Sequence, residues 1–277
     1  MKPRFFVVAA LLATAVGVGA QGIVNPRIMG NEVLATVSLP GGIDAELILS
    51  FENVVGLNLA TLNLSAQLVS ATDLSLLNRL PAGGLVAIPG AFPVLIRVQP
   101  SPESTLSFEG MYTLSLHTEN LIFAPNTPLR LFHAQSSGPF EDITETMGLG
   151  SYRVRGASGS FSEFLIVADT RPLTSVASGK FDALQGLLDE HAGVIGATVL
   201  SDLRSTLQAA RTAFDSGNFS AASEKVREFA TKVKNASGSD IPNVWRANSN
   251  VVNVAGELRA SASTLVLSLA LLANQGS

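Results

Sequence analysis

The chain has 277 residues, no cysteine, 14% charged and 47% hydrophobic side chains. It is too apolar and too weakly charged for a disordered polymer, and it excludes disulfide scaffolds and thiolate metal sites. With 18 basic against 22 acidic residues and a net charge of −4, a phosphate-neutralising surface is not expected, so no nucleic-acid partner is predicted.

The first twenty residues read as a signal peptide. Lys2 and Arg4 form a positive start, Phe5 to Val18 an apolar core, and Val18-Gly19-Ala20 a small-residue cleavage site near Ala20/Gln21. The apolar run falls short of the roughly 20 residues that span a bilayer. There is no cysteine to carry a lipid, so a periplasmic or secreted chain is expected rather than a lipoprotein. Removal of Lys2 and Arg4 leaves 16 basic and 22 acidic residues, a charge of −6. Without disulfides, stability must come from buried apolar area, which roughly 255 residues in two domains can supply.

From Asn31 to about Asp169 the hydrophobic pattern has period two. Ala45, Leu47, Leu49 and Phe51 alternate with mostly polar neighbours, as do Val94, Ile96 and Val98, and Tyr112, Leu114 and Leu116. Such alternation is what strands with one buried face require. Turn signals at Pro40-Gly41-Gly42, Pro81, Pro89-Gly90 and Gly138-Pro139 separate the strands and predict an antiparallel β-sandwich over residues 21–169. Asp73–Leu80 reads as a helical turn crossing between sheets.

Residues 170–179, TRPLTSVASG, are polar and read as a linker. Charge divides there: residues 21–173 hold 7 basic and 13 acidic side chains, residues 174–277 hold 9 of each. Beyond it the period becomes 3.6, and a small helical bundle is predicted over residues 180–273. Phe181, Leu184 and Leu188 mark one helix; Leu200, Leu203, Leu207, Ala210 and Phe214 a second; Ala222, Val226, Phe229 and Val233 a third. Gly217 and Asn218 supply a stop and a fresh cap between the last two. Asp240 as cap and Pro242 in a first turn predict a final helix running past Val244, Val251 and Leu258. The apolar run Ser263 to Ala273 reads as a core helix rather than a membrane anchor. The expected fold class is therefore α+β with two domains: an Ig-like or ZU5-like antiparallel β-sandwich, then a small α-helical bundle.

Leu203–Val233, LRSTLQAARTAFDSGNFSAASEKVREFATKV, resembles the FIMAH module, a helical domain of secreted microbial hydrolases and other exocellular proteins. The resemblance covers roughly residues 178–272, rests on core and turn positions, and implies a helical fold with no catalytic residue. The stretches ELILSFENVVGLNLATLNLSAQLV, AFPVLIRVQP, PFEDITETM and GSYRVRGASGSFSEFLIVAD are similar to an uncharacterised family of exported bacterial proteins. Phe140–Asp169 also resembles the closing strands of ZU5-type sandwiches.

No catalytic constellation is recognisable. His117, His133 and His191 lie in no metal-ligand spacing; His117 is expected to be solvated and His133, in phase with Leu129 and Leu131, half-buried. Glu141, Asp142 and Glu145 form the densest acidic cluster, in a predicted turn that reads first as solvated surface; no cofactor is expected there beyond a loosely bound Ca²⁺. Gly156-Ala157-Ser158-Gly159-Ser160 fails the G-x-S-x-G nucleophile elbow at its last position. Trp245, placed at the start of the final helix, is expected to wedge into the bundle or to meet a ligand. These readings predict an exported, non-enzymatic interaction or structural module of a bacterial envelope or secretome, with a protein or glycan partner. The alternative is an accessory or catalytic part of an extracellular polymer-degrading hydrolase, which the company of FIMAH modules suggests.

Overall fold

The computed structural model describes residues 22–81, 84–135, 137–148, 150–161, 163–248 and 251–275; the expected signal peptide lies outside them. In chain order the elements are β1 (Ile23–Met29), β2 (Glu32–Leu39), β3 (Ile43–Val55), α1 (Leu59–Leu62), β4 (Leu64–Leu68), α2 (Leu74–Leu77), β5 (Val86–Ala87) and β6 (Val94–Val98). Then come β7 (Ser107–Thr118), β8 (Leu129–Ala134), β9 (Glu141–Asp142), β10 (Thr144–Gly148), β11 (Tyr152–Ser158) and β12 (Glu163–Asp169). The last third holds α3 (Leu173–Glu190), α4 (Ala197–Asp215), α5 (Phe219–Ala236), β13 (Val244–Arg246) and α6 (Val254–Gln275).

All strand pairs in the two sheets are antiparallel, the first ordered β1-β2-β3-β7-β11-β10 and the second β4-β6-β12-β8-β9. The alternation seen in the sequence sets the register. Leu47 pairs with Leu116, Leu49 with Leu114 and Phe51 with Tyr112 across β3 and β7, so one face of the first sheet is continuously apolar. It packs on Ala66, Ile96, Leu131, Phe164 and Ile166 of the second sheet to form the sandwich core. The second sheet is also covered on its outer face, where Leu76 and Leu80 join Leu95, Phe132, Leu165 and Val167 in a satellite core. That double burial explains why Leu129–Ala134 is buried at every position instead of alternating.

The helices surround a second core of Phe181, Leu184, Leu203, Leu207, Val226, Phe229, Leu265 and Leu269. Asn218 caps α5, its side chain accepting from the Ala221 N–H at 3.1 Å, and Gly217 adopts φ +77° as the preceding stop requires. α6 alone among the described helices is long and apolar enough to cross a membrane, and 56% of its most apolar stretch is buried in the fold. Leu265, Leu269 and Leu272 are core residues, so the apolar run near the C-terminus is spent on the bundle.

Two boundaries differ from the expectations. Residues 173–179 of the expected linker are the opening turns of α3, with Val176 and Ala177 buried. The last helix does not open at Asp240. Instead the chain returns to the sandwich, pairs β13 against β7, and enters α6 only after Asn253, whose Oδ1 accepts from the Gly256 N–H at 3.0 Å. The Asn253 amide meanwhile donates to Gly110 O at 2.6 Å and Gly159 O at 3.2 Å. The start of α6 thus lies against the sandwich so closely that a Cβ on Gly159 would stand 2.5 Å from the Glu257 nitrogen. Arg259 adds a forked pair to Glu52, both contacts at 2.7 Å.

Candidate functional site

The helices do not seal the second sheet completely. Between β8, β9 and β11 on one side and α3 and α6 on the other lies a cleft of about 840 Å³. Its sheet wall is set by register: Glu141 stands opposite His133 and Asp142 opposite Phe132. His133 and Glu141 are therefore cross-strand neighbours on one face. Its helix wall carries Lys180, Ala183, Leu187 and Glu190 from α3 and Glu257, Ser261 and Thr264 from α6.

His133 is more buried than its phase predicts, at 7% exposure, and its ring lies 5.2 Å from that of Phe164. Burial lowers its pKa to about 4, against the opposing pull of the Phe161 and Ser160 backbone and the Glu163 charge, so it is neutral at pH 7. Among the described residues its buried Nε2 has no hydrogen-bond partner. Glu141 is open to water yet enclosed by the concave walls, and burial pushes its carboxyl above the ordinary range. Glu257 is also raised, by burial and by the charge of Glu190, against the attraction of His191 and a Ser160 hydrogen bond. The Gln135 amide bridges the walls, donating to Ser160 Oγ at 2.6 Å and reaching Glu257 Oε1 at 3.5 Å.

The three acidic residues singled out from the sequence are not brought together. Asp142 turns inward to Lys180 at 2.7 Å, Glu145 pairs with Arg155 at 2.9 Å on the first sheet, and Glu141 faces the cleft. No group of three or more histidines and carboxylates among the described residues is placed to hold a metal ion. Trp245 is on a strand, not a helix. It stacks on Phe108 at 5.2 Å and meets Phe161 edge-on at 5.1 Å, closing the sandwich core rather than the bundle, because those aromatic faces give its ring more buried contact than a first helical turn would.

His117 is not simply solvated. Across β3, β7 and β11 the register sets Glu46, His117 and Arg153 in one row. His117 Nδ1 lies 3.0 Å from Glu46 Oε2 and Nε2 lies 2.7 Å from Ser151 Oγ, beside a shallow depression of about 350 Å³. The order is that of a serine–histidine–carboxylate relay. However, the Ser151 hydroxyl also donates to Gly150 O at 2.6 Å, and the Glu46 side chain is 73% exposed. In the cleft itself, His133 meets the backbone of Ser160, no hydrogen bond links it to the Ser158 or Ser160 hydroxyl among the described residues, and the Ser158 hydroxyl donates to Ser160 O at 2.9 Å.

Sequence reasoning missed Lys180, Glu257 and Asn253. Asn253 carried a readable signal, a capping side chain three residues before Gly256. Lys180 and Glu257 had none, since both owe their roles to elements remote in sequence.

Residues 7–273 match a family model described as Family of unknown function (DUF6689). The match runs through sandwich and helices alike. No curated protein matches the chain.

Proposed function

Because the chain belongs to this family of unknown function, we propose from its own geometry that it is an exported, non-catalytic interaction module of a bacterial envelope whose binding site is the cleft between sheet and helices. The observation that carries the reading is the cleft of about 840 Å³, within the roughly 300–1,000 Å³ of small-molecule sites and walled by apolar and by polar or charged side chains together. Among the described residues of the cleft, Ser160 meets the Glu257 carboxylate rather than the imidazole base of a serine–histidine pair. The likeness of Leu203–Val233 to FIMAH modules and the basic-then-apolar start of the chain support an exocellular address. No cofactor belongs to this reading, and its partner class is a protein or glycan of the envelope.

Thermal unfolding of the purified chain with Ca²⁺, with EDTA and with a panel of envelope polysaccharides and peptides tests the site. Ala183 is exposed on the cleft wall, so Ala183→Trp fills the cleft without touching the core. A ligand at 100 times its Kd adds about 2.7 kcal/mol; that stabilisation is expected in the parent and absent in the variant. Equal stabilisation in both would remove the cleft from the proposal. Amino-terminal sequencing of the protein recovered from periplasm or medium is expected to begin at Gln21, and a chain retaining Met1 in the cytoplasm would refute export.

A further inference from the structure

We propose that Glu46, His117 and Ser151 form a proton-operated clasp on the outer face of the first sheet. It ties the turn between β10 and β11 to β3 and β7 when the imidazole is protonated, and releases one hydrogen bond of that turn when it is not. The clasp lies apart from the cleft and does not depend on the cleft binding a ligand.

Register builds it. Ala45, Leu47 and Leu49 of β3 fill the sandwich core, so Glu46 points to the other face. There it stands opposite His117 on β7, which in turn stands opposite Arg153 on β11. The turn from β10 to β11 brings Ser151 to the same row, its backbone left-handed at φ +52° after Gly150 at φ +79°. The His117 side chain is 20% exposed, and with Glu46, Gly148 and Arg153 it lines the depression of about 350 Å³.

Counting hydrogens assigns the donors. The Ser151 hydroxyl has one proton and gives it to Gly150 O at 2.6 Å, a carbonyl that can only accept. The hydroxyl oxygen must then accept from His117 Nε2–H, 2.7 Å away. At the other end of the ring, Nδ1 lies 3.0 Å from the Glu46 carboxylate, which also only accepts, so Nδ1 carries a proton too. Two ring donors make the imidazole of this arrangement a cation. When Nε2 gives up its proton to water, Nδ1–H stays with Glu46 and Nε2 becomes an acceptor. The Ser151 O–H swings from Gly150 O to Nε2, and the Gly150 carbonyl is let go; only the Nε2–H bond breaks. One proton thereby changes the charge of the depression and the tether of the turn beside it. The surrounding charges act from both flanks. Glu46 and, two residues along the same face of β3, Asp44 favour the cation, whereas Arg153 opposes it. Arg155, farther along β11, is offset by Glu145 of β10 at 2.9 Å, and Glu119 follows just past the end of β7.

Nitrogen-15 NMR of the full chain, titrated from about pH 5 to about pH 8, where imidazoles change charge, tests this. At the acid end both His117 ring nitrogens are expected to carry protons, and at the alkaline end the remaining proton to sit on Nδ1. The backbone amide at position 151 shares a peptide unit with Gly150 O, and its resonance should move with the midpoint of the His117 ring. The amide of Gly217, in the turn between α4 and α5, should stay still. Ser151→Gly removes the hydroxyl yet suits the left-handed backbone; its ring still titrates, and the coupled movement at position 151 is expected to collapse. Glu46→Gln should carry ring and turn together to a lower midpoint, because a neighbouring carboxylate favours the cation. A neutral ring that keeps Nε2–H, a turn that ignores the ring, or a turn that follows it as strongly in Ser151→Gly overturns the clasp.

Discussion

Lys180 on α3 places its ammonium 2.7 Å from the carboxylate of Asp142 on the two-residue strand β9, and the two side chains are only 11% and 4% exposed. The same ammonium donates to Thr264 O on α6 at 3.1 Å. One buried charge therefore holds two helices and a sheet edge in register, and it forms the floor of the cleft. Removing one partner of such a pair strands the other in low dielectric, which costs far more than the pair's net worth.

Asp142→Ala is accordingly expected to lower stability at pH 7 by about 3–5 kcal/mol, and a Lys180→Met, Asp142→Leu double variant to recover part of it. Burial alone would raise the Asp142 carboxyl, but the charge and hydrogen bond of Lys180, with Thr144, hold it below the ordinary carboxylate range. A depressed acid contributes stability above its unfolded pKa of about 3.9 and loses it as pH falls through the folded value. Urea unfolding at pH 7 and pH 3 checks both; a parent–variant gap that does not shrink at pH 3 would contradict the pairing.

His133 has the opposite linkage. Its folded pKa of about 4 lies under an unfolded value of about 6.5, so the unfolded chain takes the proton first. Stability should fall as pH drops from 6.5 towards 4, by about 3 kcal/mol from this group. An NMR titration of the three histidines is expected to show the His133 ring resonance moving only near pH 4. A midpoint at the ordinary value would mean the ring is not buried.

Two glycines should respond with opposite signs. Gly159 faces the backbone of Gly256 and Glu257, where a Cβ has no room, so Gly159→Ala is expected to cost about 1–3 kcal/mol by forcing α6 away from the sandwich. Gly186 sits within α3 with nothing within 4 Å of its Cβ position. Gly186→Ala should stabilise by about 0.4–1 kcal/mol. Denaturant midpoints of the pair check the contact between α6 and the sandwich directly.

The Glu46–His117–Ser151 row carries a prediction about chemistry. Its carboxylate lies in water and its hydroxyl is shared with Gly150 O, so the pull on the serine proton is weak. A fluorophosphonate probe is expected to leave Ser151 unmodified, and Ser151→Ala to change no activity. Covalent labelling mapped to Ser151, lost in His117→Ala, would establish a nucleophile there and favour the hydrolase alternative over a non-catalytic module.

The fold class was legible because it depends on local periodicity. Ala45, Leu47, Leu49 and Phe51 can share one buried face only in a strand, and Ala222, Val226, Phe229 and Val233 only in a helix. The turn at Gly217-Asn218 was legible for the same reason, since a left-handed stop and an amide cap act within a few residues. The end of the chain was misread where local signals competed with distant contacts. Asp240 and Pro242 form a plausible helix start, yet Trp245 is drawn onto β7 by Phe108 and Phe161, which are more than 80 residues away.

By itself the sequence determined two periodicities, the charge of each half and the absence of thiol chemistry. Only the tertiary structure decided which charges meet. Glu141, Asp142 and Glu145 are neighbours in the chain, but Glu141 lies open on the cleft wall, Asp142 is tied to Lys180 on its floor, and Glu145 is carried on the next strand to pair with Arg155 of the first sheet. Conversely His133, Lys180 and Glu257 share one cleft because helices and sheet leave a gap where they meet, and the shape of such a gap is a property of packing that no local pattern encodes.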